Sequence, residues 1–330
     1  MGKKQLPISH EHIISLENLL EAWREFVRGK RKRKDVQEFE LRLTDNVLAL
    51  RRDLVSKIYT HSAYEAFSIS DPKPRSIHKA SVRDRLLHHA IYRLLYLFFD
   101  KTFASSSYSC RKGRGNHKAL NHFKYLAFRV SHNHTRTVWV LKCDVRKFFA
   151  SIDQERLLRI LEARIPDRNV LWLLGQIIHS FESTRAGLGL PLGNLTSQLL
   201  VNIYMNEFDQ FVKHTLKSKA YVRYADDFVL LSRDKAELEQ LLPRIEAFLW
   251  NELRLTLHPD KVFIKTLASG VDFLGWVHFR DHRVVRTTTK RRMYRRLEQT
   301  KLNDQSVQSY LGLLKHGNSY KLRRTLSKDV

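Results

Sequence analysis

Apolar positions along the chain repeat at two spacings, one typical of helices and one typical of strands. In three N-terminal stretches, apolar residues recur three and four positions apart, which predicts helices over 16–26, 39–50 and 82–99. Residues 66–69 have the composition of a strand. Two prolines within 71–74 predict an extended turn, because a proline fixes its own backbone and restrains the residue before it.

The middle of the chain contains apolar strands that border aspartates. Residues 137–143 form an apolar run directly before Asp144, and 221–231 predicts two short strands around Asp226-Asp227. Helices are predicted over 154–165, 197–216 and 235–253. The order strand, helix, helix, hairpin, helix favours an α+β fold in which helices cover one face of an antiparallel sheet, and not a doubly wound parallel sheet.

The C-terminal part begins with a strand-rich piece from Val271 to about residue 286, and an arginine-rich helical tail follows. The sequence contains no internal repeat and no low-complexity linker. We expect three regions, 1–135, 136–282 and 283–330, with part of the first region interleaved with the second.

The charge of the chain indicates a polyanionic partner. Lysine and arginine number 59 against 34 acidic residues, which gives a net charge of +25. A basic groove binds nucleic acid because each neutralised phosphate releases condensed salt ions. A ribosomal-type RNA-binding protein and a polybasic protein at a membrane surface have similar charge, so composition alone leaves both open.

The cysteines and the N-terminus indicate the compartment. Cys110 and Cys143 form no C-x-x-C pair, so neither zinc binding nor disulfide exchange through such a pair is expected. The first ten residues are polar, and no run approaches the roughly 20 apolar residues that a membrane helix needs. We expect a soluble, cytoplasmic protein without a membrane partner.

The aspartates carry the candidate chemistry. Adjacent carboxylates such as Asp226 and Asp227 repel each other, and their burial costs several kcal/mol unless protons or cations compensate. Magnesium suits that task because it prefers a few carboxylates together with substrate phosphate oxygens. Two such ions, roughly 3.5–4 Å apart, stabilise the attacking and leaving oxygens of nucleotidyl transfer. An isolated Asp-Asp pair is more often an acidic hairpin tip, so the neighbouring residues have to decide.

Those neighbours resemble the sequence motifs of reverse transcriptases. Residues 141–149 (LKCDVRKFF) and 224–227 (YADD) are similar to the palm motifs that carry the catalytic aspartates of this family. Further segments resemble its fingers motifs, its last palm motif and its primer grip, and these lie at 72–75, 107–115, 258–261 and 273–276. The resemblance extends over roughly residues 15–290.

The resemblance implies a right-hand polymerase, with N-terminal helices and fingers over 1–135, an antiparallel-sheet palm over 136–282 and a small helical thumb over 283–330. It implies an RNA-directed DNA polymerase that uses two Mg²⁺ ions, with Mn²⁺ as a substitute. Its partners would be template RNA, the RNA/DNA duplex and dNTPs. The implied metal ligands are Asp144, Asp226, Asp227 and the backbone of Val145.

The resemblance also assigns roles to other residues. The implied nucleotide-binding residues are Lys73, Arg75, Phe149, Leu192, Gly193 and Lys261. The implied primer grip is Phe273, Leu274 and Gly275. The thumb cations that would contact the nucleic-acid backbone are Arg283, Arg286, Lys290, Arg291, Arg292, Arg295 and Arg296.

Three of these roles have a specific chemical reason. A bidentate guanidinium at Arg75 suits the incoming triphosphate. Phe149 falls where the family places an aromatic ring that excludes a ribose 2′-hydroxyl, and Lys261 could stabilise or protonate the leaving pyrophosphate. The plainer interpretations are core packing for Phe149, a solvated surface for Lys261 and a solvated charged face for the thumb cations.

The loop over 189–198 differs from most of the superfamily. Most members have glutamine before the second glycine and proline after the serine, whereas this chain has Leu192 and Gln198. This pattern is similar to the reverse transcriptases of diversity-generating retroelements, which copy a template-repeat RNA into error-prone cDNA for mutagenic retrohoming into a variable gene. An aliphatic Leu192 cannot make the polar contact of glutamine with the incoming nucleotide, so the hypothesis is misincorporation opposite template adenine. Core packing of Leu192 is the alternative.

The retroelement resemblance implies a bacterial or phage-encoded enzyme that works with a small basic accessory variability protein. Two other hypotheses remain. The chain could be a reverse transcriptase of the retron, phage-defence or group II intron type. It could also be a non-catalytic RNA-binding or splicing protein that retains a polymerase shell, although the three intact aspartates argue against this.

Overall fold

The computed structural model describes residues 4–70, 74–299 and 304–326. Its helices are α1 His10–Ile14, α2 Leu16–Phe26, α3 Lys34–Glu40, α4 Leu43–Val55, α5 Val82–Phe99, α6 Asn116–Val130, α7 Gln154–Glu162, α8 Arg168–Ile178, α9 Leu195–Gln210, α10 Lys235–Leu253, α11 Thr287–Gln299, α12 Asp304–Leu314 and α13 Tyr320–Leu326. Its strands are β1 Glu65–Ile69, β2 Arg75–Lys79, β3 Trp139–Asp144, β4 Tyr221–Tyr224, β5 Asp227–Ser232, β6 Phe263–Thr266, β7 Val271–Phe273, β8 Trp276–His278 and β9 Arg283–Val285.

The chain forms two compact units, each built from three separate stretches. The first unit contains Met1–Ala104, Arg146–Gln210 and Phe248–Leu255. The second contains Ser105–Val145, Phe211–Ala247 and Thr256–Val330. Each unit therefore depends on contacts between residues that are far apart in the sequence.

The first unit is mainly helical, and α5 lies at its centre because α2 and α9 both pack against it. The start of α5 is fixed by Ser81, whose hydroxyl accepts a hydrogen bond from the Asp84 backbone amide at 3.2 Å. Ser15 caps α2 in the same way at 3.2 Å from the Asn18 amide. The strands β1 and β2 form an antiparallel hairpin beside these helices.

The second unit contains two antiparallel sheets. The four-stranded sheet has the order β4-β5-β3-β6, and the three-stranded sheet has the order β7-β8-β9. Helix α6 packs against β4 and β5. The shared core includes Phe123, Val140, Val222, Val229, Phe273 and Trp276. The α+β prediction with an antiparallel sheet is therefore confirmed.

Most elements lie close to their predicted positions. The strand predicted over 137–143 is β3, and the hairpin predicted over 221–231 is β4 and β5. The helix predicted over 197–216 ends earlier, because α9 stops at Gln210 and a π-helical turn follows over Phe211–Thr215. The single helix predicted over 39–50 is divided between α3 and α4. Residues 71–73 of the predicted turn lie outside the described residues.

The sequence pattern gave no prediction for α6 and α8, although both carry a recognisable signal. Buried Ala119, Leu120, Phe123, Leu126 and Ala127 recur at helical spacing in α6. In α8, the Asp167 carboxylate accepts a hydrogen bond from the Asn169 amide at 2.8 Å and caps the helix. None of the described helices is both long and apolar enough to span a bilayer.

Candidate active site

The register of β3 against β5 brings the aspartates together. Asp144 at the end of β3 lies directly opposite Asp227 at the start of β5. Ala225 and Asp226 form the tight turn between β4 and β5, and Ala225 has a φ of 57°. The Val145 amide donates a hydrogen bond to the Asp226 carbonyl at 3.1 Å. Residues more than 80 positions apart therefore meet through ladder hydrogen bonds and one left-handed turn.

Two lysines lie against these carboxylates. Lys261 Nζ donates a hydrogen bond to Asp144 Oδ1 at 2.6 Å. Lys142 Nζ lies 3.6 Å from Asp227 Oδ2, and the Lys142 side chain is only 8% exposed. The Lys142 ammonium also lies 6.0 Å from the centre of the Phe263 ring. Both lysines partly neutralise the negative charge of the cluster.

The surroundings of the Asp227 carboxylate disfavour its charged form. Its Oδ1 atom is buried and has no hydrogen-bond partner within the described residues. Burial raises the pKa of Asp227 to about 7, the Lys142 ammonium opposes the rise, and the charges of Asp144, Asp226 and Asp272 add to it. A cation next to this oxygen would relieve both the burial and the repulsion.

The donor set fits magnesium in its chemistry, because carboxylate oxygens and substrate phosphates are the ligands that this ion prefers. Among the described residues, however, no three His, Cys, Asp or Glu side chains already stand in an arrangement that could hold a metal ion. The hydrogen bond of Lys261 occupies Asp144 Oδ1. A metal would therefore compete with the Lys261 ammonium for this oxygen.

Four of the residues predicted to contact the nucleotide, Arg75, Phe149, Leu192 and Gly193, lie in the first unit, whereas Lys261 lies in the second. The 189–198 loop is attached to β2, since the His78 amide donates to the Leu192 carbonyl at 3.1 Å and Asn194 Nδ2 donates to the His78 carbonyl at 3.0 Å. Gly193 has a φ of 108°, and an added Cβ would lie 2.9 Å from Ile77 Cγ2. Only glycine fits this approach to β2 without strain.

The structure brings Leu192 and Gly193 beside the strand that carries Arg75. Phe149 lies in a short 3₁₀ turn, half-buried, with its ring 5.6 Å from that of Phe148. Lys73 lies outside the described residues. The nucleotide-binding roles of these residues stay predictions.

The predicted primer grip is a two-residue hairpin turn between β7 and β8. Leu274 and Gly275 have φ values of 52° and 83°, and Phe273 pairs with Trp276 across the turn. The Arg286 amide donates to the Gly275 carbonyl at 3.2 Å, and the Arg286 side chain forms an ion pair with Asp272. The turn is thus held by the segment that follows β9.

The basic tail divides into two environments. Arg283 lies on β9 and Arg286 precedes α11, so neither belongs to the helix that begins at Thr287. The remaining predicted thumb cations lie on α11, and they are Lys290, Arg291, Arg292, Arg295 and Arg296. Only these helical cations can form a continuous basic face.

The sequence interpretation missed two residues of the site, Lys142 and Asp272. Lysine is rarely buried, so Lys142 inside an otherwise apolar strand two residues before Asp144 was a usable signal for an internal counter-ion. Asp272 had no comparable signal, because its approach to the cluster depends on how the three-stranded sheet is placed.

Comparison with known proteins decides the family. Residues 70–278, well over half of the chain, match the family described as "Reverse transcriptase (RNA-dependent DNA polymerase)". The chain belongs to this family. It is therefore an RNA-directed DNA polymerase, and the matched range contains all three aspartates.

The curated relatives of this reverse transcriptase include intron-encoded proteins. "Protein YkfC" of Escherichia coli strain K12 is 27% identical over 76% of this chain and 74% of its own length. The "Group II intron-encoded protein LtrA" of Lactococcus lactis is 23% identical over 67% of this chain and 46% of its own length. An "Uncharacterized 91 kDa protein in cob intron" of Schizosaccharomyces pombe is 25% identical over 70% of this chain. The chain spans only 37% of that protein.

Proposed function

We propose that this reverse transcriptase extends a primer on template RNA by nucleotidyl transfer at the Asp144, Asp226 and Asp227 cluster. The observation that supports this most directly is the β3–β5 register, which sets Asp144 opposite Asp227 with Asp226 in the adjoining turn. Three carboxylates, one of which has a buried oxygen without a hydrogen-bond partner in the described part of the chain, form a site that needs cations.

In this proposal Asp144, Asp226, Asp227 and the Val145 carbonyl hold two Mg²⁺ ions, or Mn²⁺ as a substitute. When bound, the ions supply positive charge to the attacking and leaving oxygens. The chain itself orients the carboxylates through the β3–β5 ladder. Lys261, which bonds to Asp144 in the structure, would turn to the pyrophosphate when a metal takes its place.

The nucleotide-binding part of the proposal places Arg75 in the fingers, and Phe149 together with Leu192 and Gly193 of the 189–198 loop in the palm. The Arg75 guanidinium would bind the triphosphate, and the Phe149 ring would exclude a 2′-hydroxyl. In the same assignment, 1–135 supplies the N-terminal helices and fingers, 136–282 the palm, and 283–330 the thumb.

Primer extension tests the activity. The purified chain, given a primed RNA template, dNTPs and either Mg²⁺ or Mn²⁺, is expected to yield full-length cDNA. A matched reaction with ribonucleotides should extend far less. Complete inactivity of a folded chain on several primed templates with either metal would instead support the non-catalytic RNA-binding protein.

The finer proposal is that the chain is the enzyme of a diversity-generating retroelement. It would copy a template-repeat RNA with frequent errors, together with a small basic accessory variability protein. Support comes from Leu192, whose backbone is fixed on β2 and whose aliphatic side chain has no polar group to offer a base pair. Geometry-dependent discrimination should then weaken at this position.

Sequencing of cDNA made by the Leu192→Gln variant tests this role. Errors opposite template adenine are expected to fall by about tenfold, because a polar contact worth roughly 1–1.5 kcal/mol is restored. Leu192→Met keeps an apolar side chain of similar volume and is the matched control, so its error spectrum should stay that of the parent chain. An unchanged spectrum in Leu192→Gln would contradict the proposal.

The second candidate is a reverse transcriptase of the group II intron type, which the similarity to the intron-encoded proteins of Lactococcus and fission yeast favours. Such a chain would bind a folded intron RNA tightly and would copy adenines faithfully. Filter binding to an intron RNA and to a template-repeat RNA, combined with the error spectrum, separates the two candidates. A retron or phage-defence enzyme would prefer a different structured RNA in the same binding assay.

A further inference from the structure

A cavity of about 350 Å³ lies in the second unit, between α6, the turn that joins β8 to β9, and the turn that joins α12 to α13. Its volume is near the lower end of the range for small-molecule pockets, roughly 300–1,000 Å³. It lies beyond His278 at the C-terminal end of β8, whereas the Leu274-Gly275 turn lies at the opposite end of the same strand. The cavity is therefore not part of the predicted primer grip.

The walls of the cavity are basic. Lys124 from α6, Arg280 and Arg283 from the β8–β9 segment, and Lys315 from the end of α12 supply four cations. Asp281 is the single acid of the lining, and its carboxylate is already bound to the ring of His282 at 2.8 Å. An anionic ligand would meet a large excess of positive charge at close range.

Arg283 lies in one wall of the cavity and forms hydrogen bonds to residues of the other two walls. Its Nη2 donates to Asn121 Oδ1 of α6 at 3.1 Å, and its Nε donates to the His316 carbonyl. The Asn318 amide donates to the Arg283 carbonyl at 2.8 Å. The guanidinium is thus held in one orientation by groups from both sides, and its Nη1 is buried without a hydrogen-bond partner within the described residues.

His278 provides a second group that lacks a partner. The residue lines the cavity and is only 3% exposed, and its Nε2 has no hydrogen-bond partner among the described residues. Burial, together with a smaller effect of the nearby Arg283 charge, lowers the pKa of His278 to about 3. The neutral ring adds a polar contact without adding charge. A buried polar atom without a partner is uncommon in native proteins and commonly marks the place of a ligand, ion or water.

We propose that this cavity is a phosphate-binding site for a nucleotide unit, additional to the site of nucleotidyl transfer. The Arg283 guanidinium, already oriented by Asn121 and His316, matches the planar arrangement of two phosphate oxygens. Lys124 and Lys315 add charge at the rim, and the Phe279 ring offers an apolar wall for a sugar or base. The phosphate could belong to a free nucleotide or to a nucleic-acid strand, since both present the same group.

Titration calorimetry with the full chain in the presence of a chelator tests the proposal without the polymerase metals. The probes are deoxyadenosine monophosphate, deoxyadenosine, and a tetrathymidylate oligonucleotide. Deoxyadenosine lacks the phosphate and is expected not to bind. Binding of the monophosphate indicates a free nucleotide as the ligand, whereas binding of the oligonucleotide alone indicates a strand.

Two sets of variants locate the binding. Arg283→Gln removes the fixed guanidinium, and Lys124→Ala with Lys315→Ala removes two rim charges without touching the packed junction. Each set is expected to weaken the binding of the phosphate probe by about tenfold or more, as loss of a charge-assisted contact does. Lys213→Ala with Lys219→Ala removes two exposed lysines elsewhere in the second unit and is the matched control for net charge.

The outcomes separate cleanly. Binding that is lost in the cavity variants and retained in the control and in Lys261→Ala supports the site. Absence of binding for both phosphate probes overturns it, as does binding that the cavity variants leave unchanged. If Arg283→Gln fails to fold, as its melting curve would show, the rim-lysine variant carries the same test. Loss of binding in Lys261→Ala would place the phosphate at the polymerase centre and would also overturn the proposal.

Discussion

The two sheets of the second unit contribute residues to two sites of opposite charge. The four-stranded sheet gathers Asp144, Asp226 and Asp227 and leaves Asp227 Oδ1 buried without a partner. The three-stranded sheet contributes Arg283 and His278 to a basic cavity and leaves Arg283 Nη1 buried without a partner, in both cases within the described residues. In the two proposals the first site binds a cation and the second an anion, because an unmatched buried polar atom is costly.

The two sites also differ in how they are built. The carboxylates are placed by strand register and by one tight turn, so the backbone hydrogen bonds of a single sheet determine their positions. The basic cavity exists only where three separate segments meet around Arg283. Substitution of one side chain should therefore change the chemistry of the first site. The second site depends instead on the packing of the three segments around Arg283.

The largest expected effect is the loss of activity in Asp226→Asn. Replacement of one carboxylate by a neutral amide removes charge from the metal ligands, and primer extension should fall on the order of a thousandfold. Gel-based single-turnover extension measures the rate. Asp281→Asn, which changes an acid at the basic cavity, is the control and should extend normally. Equal activity of Asp226→Asn and the parent chain would contradict the proposed function, because the acidic site would then not be catalytic.

A smaller but still large effect is expected from Lys142→Met. Removal of the ammonium leaves the Asp227 carboxylate without its counter-charge, and breaking a buried ion pair costs about 3 kcal/mol. Urea unfolding at pH 8 in a chelator should show this loss in the free energy of unfolding. Lys142→Arg keeps the charge and should lose less. Added Mg²⁺ should reduce the difference in unfolding free energy between Lys142→Met and the parent chain. If Mg²⁺ leaves this difference unchanged, the result contradicts cation binding beside Asp227.

The pH dependence of stability tests the burial of His278 in the basic cavity. Because the folded-state pKa of His278 is about 3 and its ordinary value is 6.5, the unfolded chain takes up this proton first as the pH falls. Stability from this group is therefore complete above pH 6.5 and is lost as the pH falls toward 3. At pH 5 the loss should be about 2 kcal/mol.

His278→Phe should remove that loss. The difference in unfolding free energy between His278→Phe and the parent chain is expected to shift by about 2 kcal/mol in favour of the variant between pH 7.5 and pH 5. Urea unfolding at both pH values measures the shift. His282→Phe, at an exposed residue of the same lining, is the control. A shift that is the same for both variants would mean that burial of His278 is not the cause.

The smallest effect concerns the turn at Gly275. This glycine has a φ of 83°, so Gly275→Ala should cost about 1 kcal/mol of stability through the left-handed backbone, although the Cβ would meet only Thr289 Oγ1 at 3.7 Å. Gly312→Ala in α12 meets no atom within 4 Å and should stabilise the chain by roughly 0.5–1 kcal/mol. Thermal melting of both variants gives the two signs, and a stabilising Gly275→Ala would refute the strained turn.

Much of the fold could be predicted because it rests on local patterns. The spacing of apolar residues in α5 and the continuous apolar runs of β3 and β5 depend on neighbours in the chain. The end of α9 and the division between α3 and α4 could not be predicted from the sequence, because tertiary contacts decide where a helix stops. The α6 and α8 helices were missed although their apolar spacing was visible.

The sequence by itself indicated the family, an antiparallel sheet and the three candidate aspartates, because the residues of each motif and of each apolar run are close together in the chain. Only the tertiary structure decided that Lys261 and Lys142 are the present counter-ions of those aspartates, and that Arg283 belongs to a cavity and not to α11. The physical reason is that charge balance and cavities depend on side chains from distant segments meeting in space, and a one-dimensional pattern does not contain those distances.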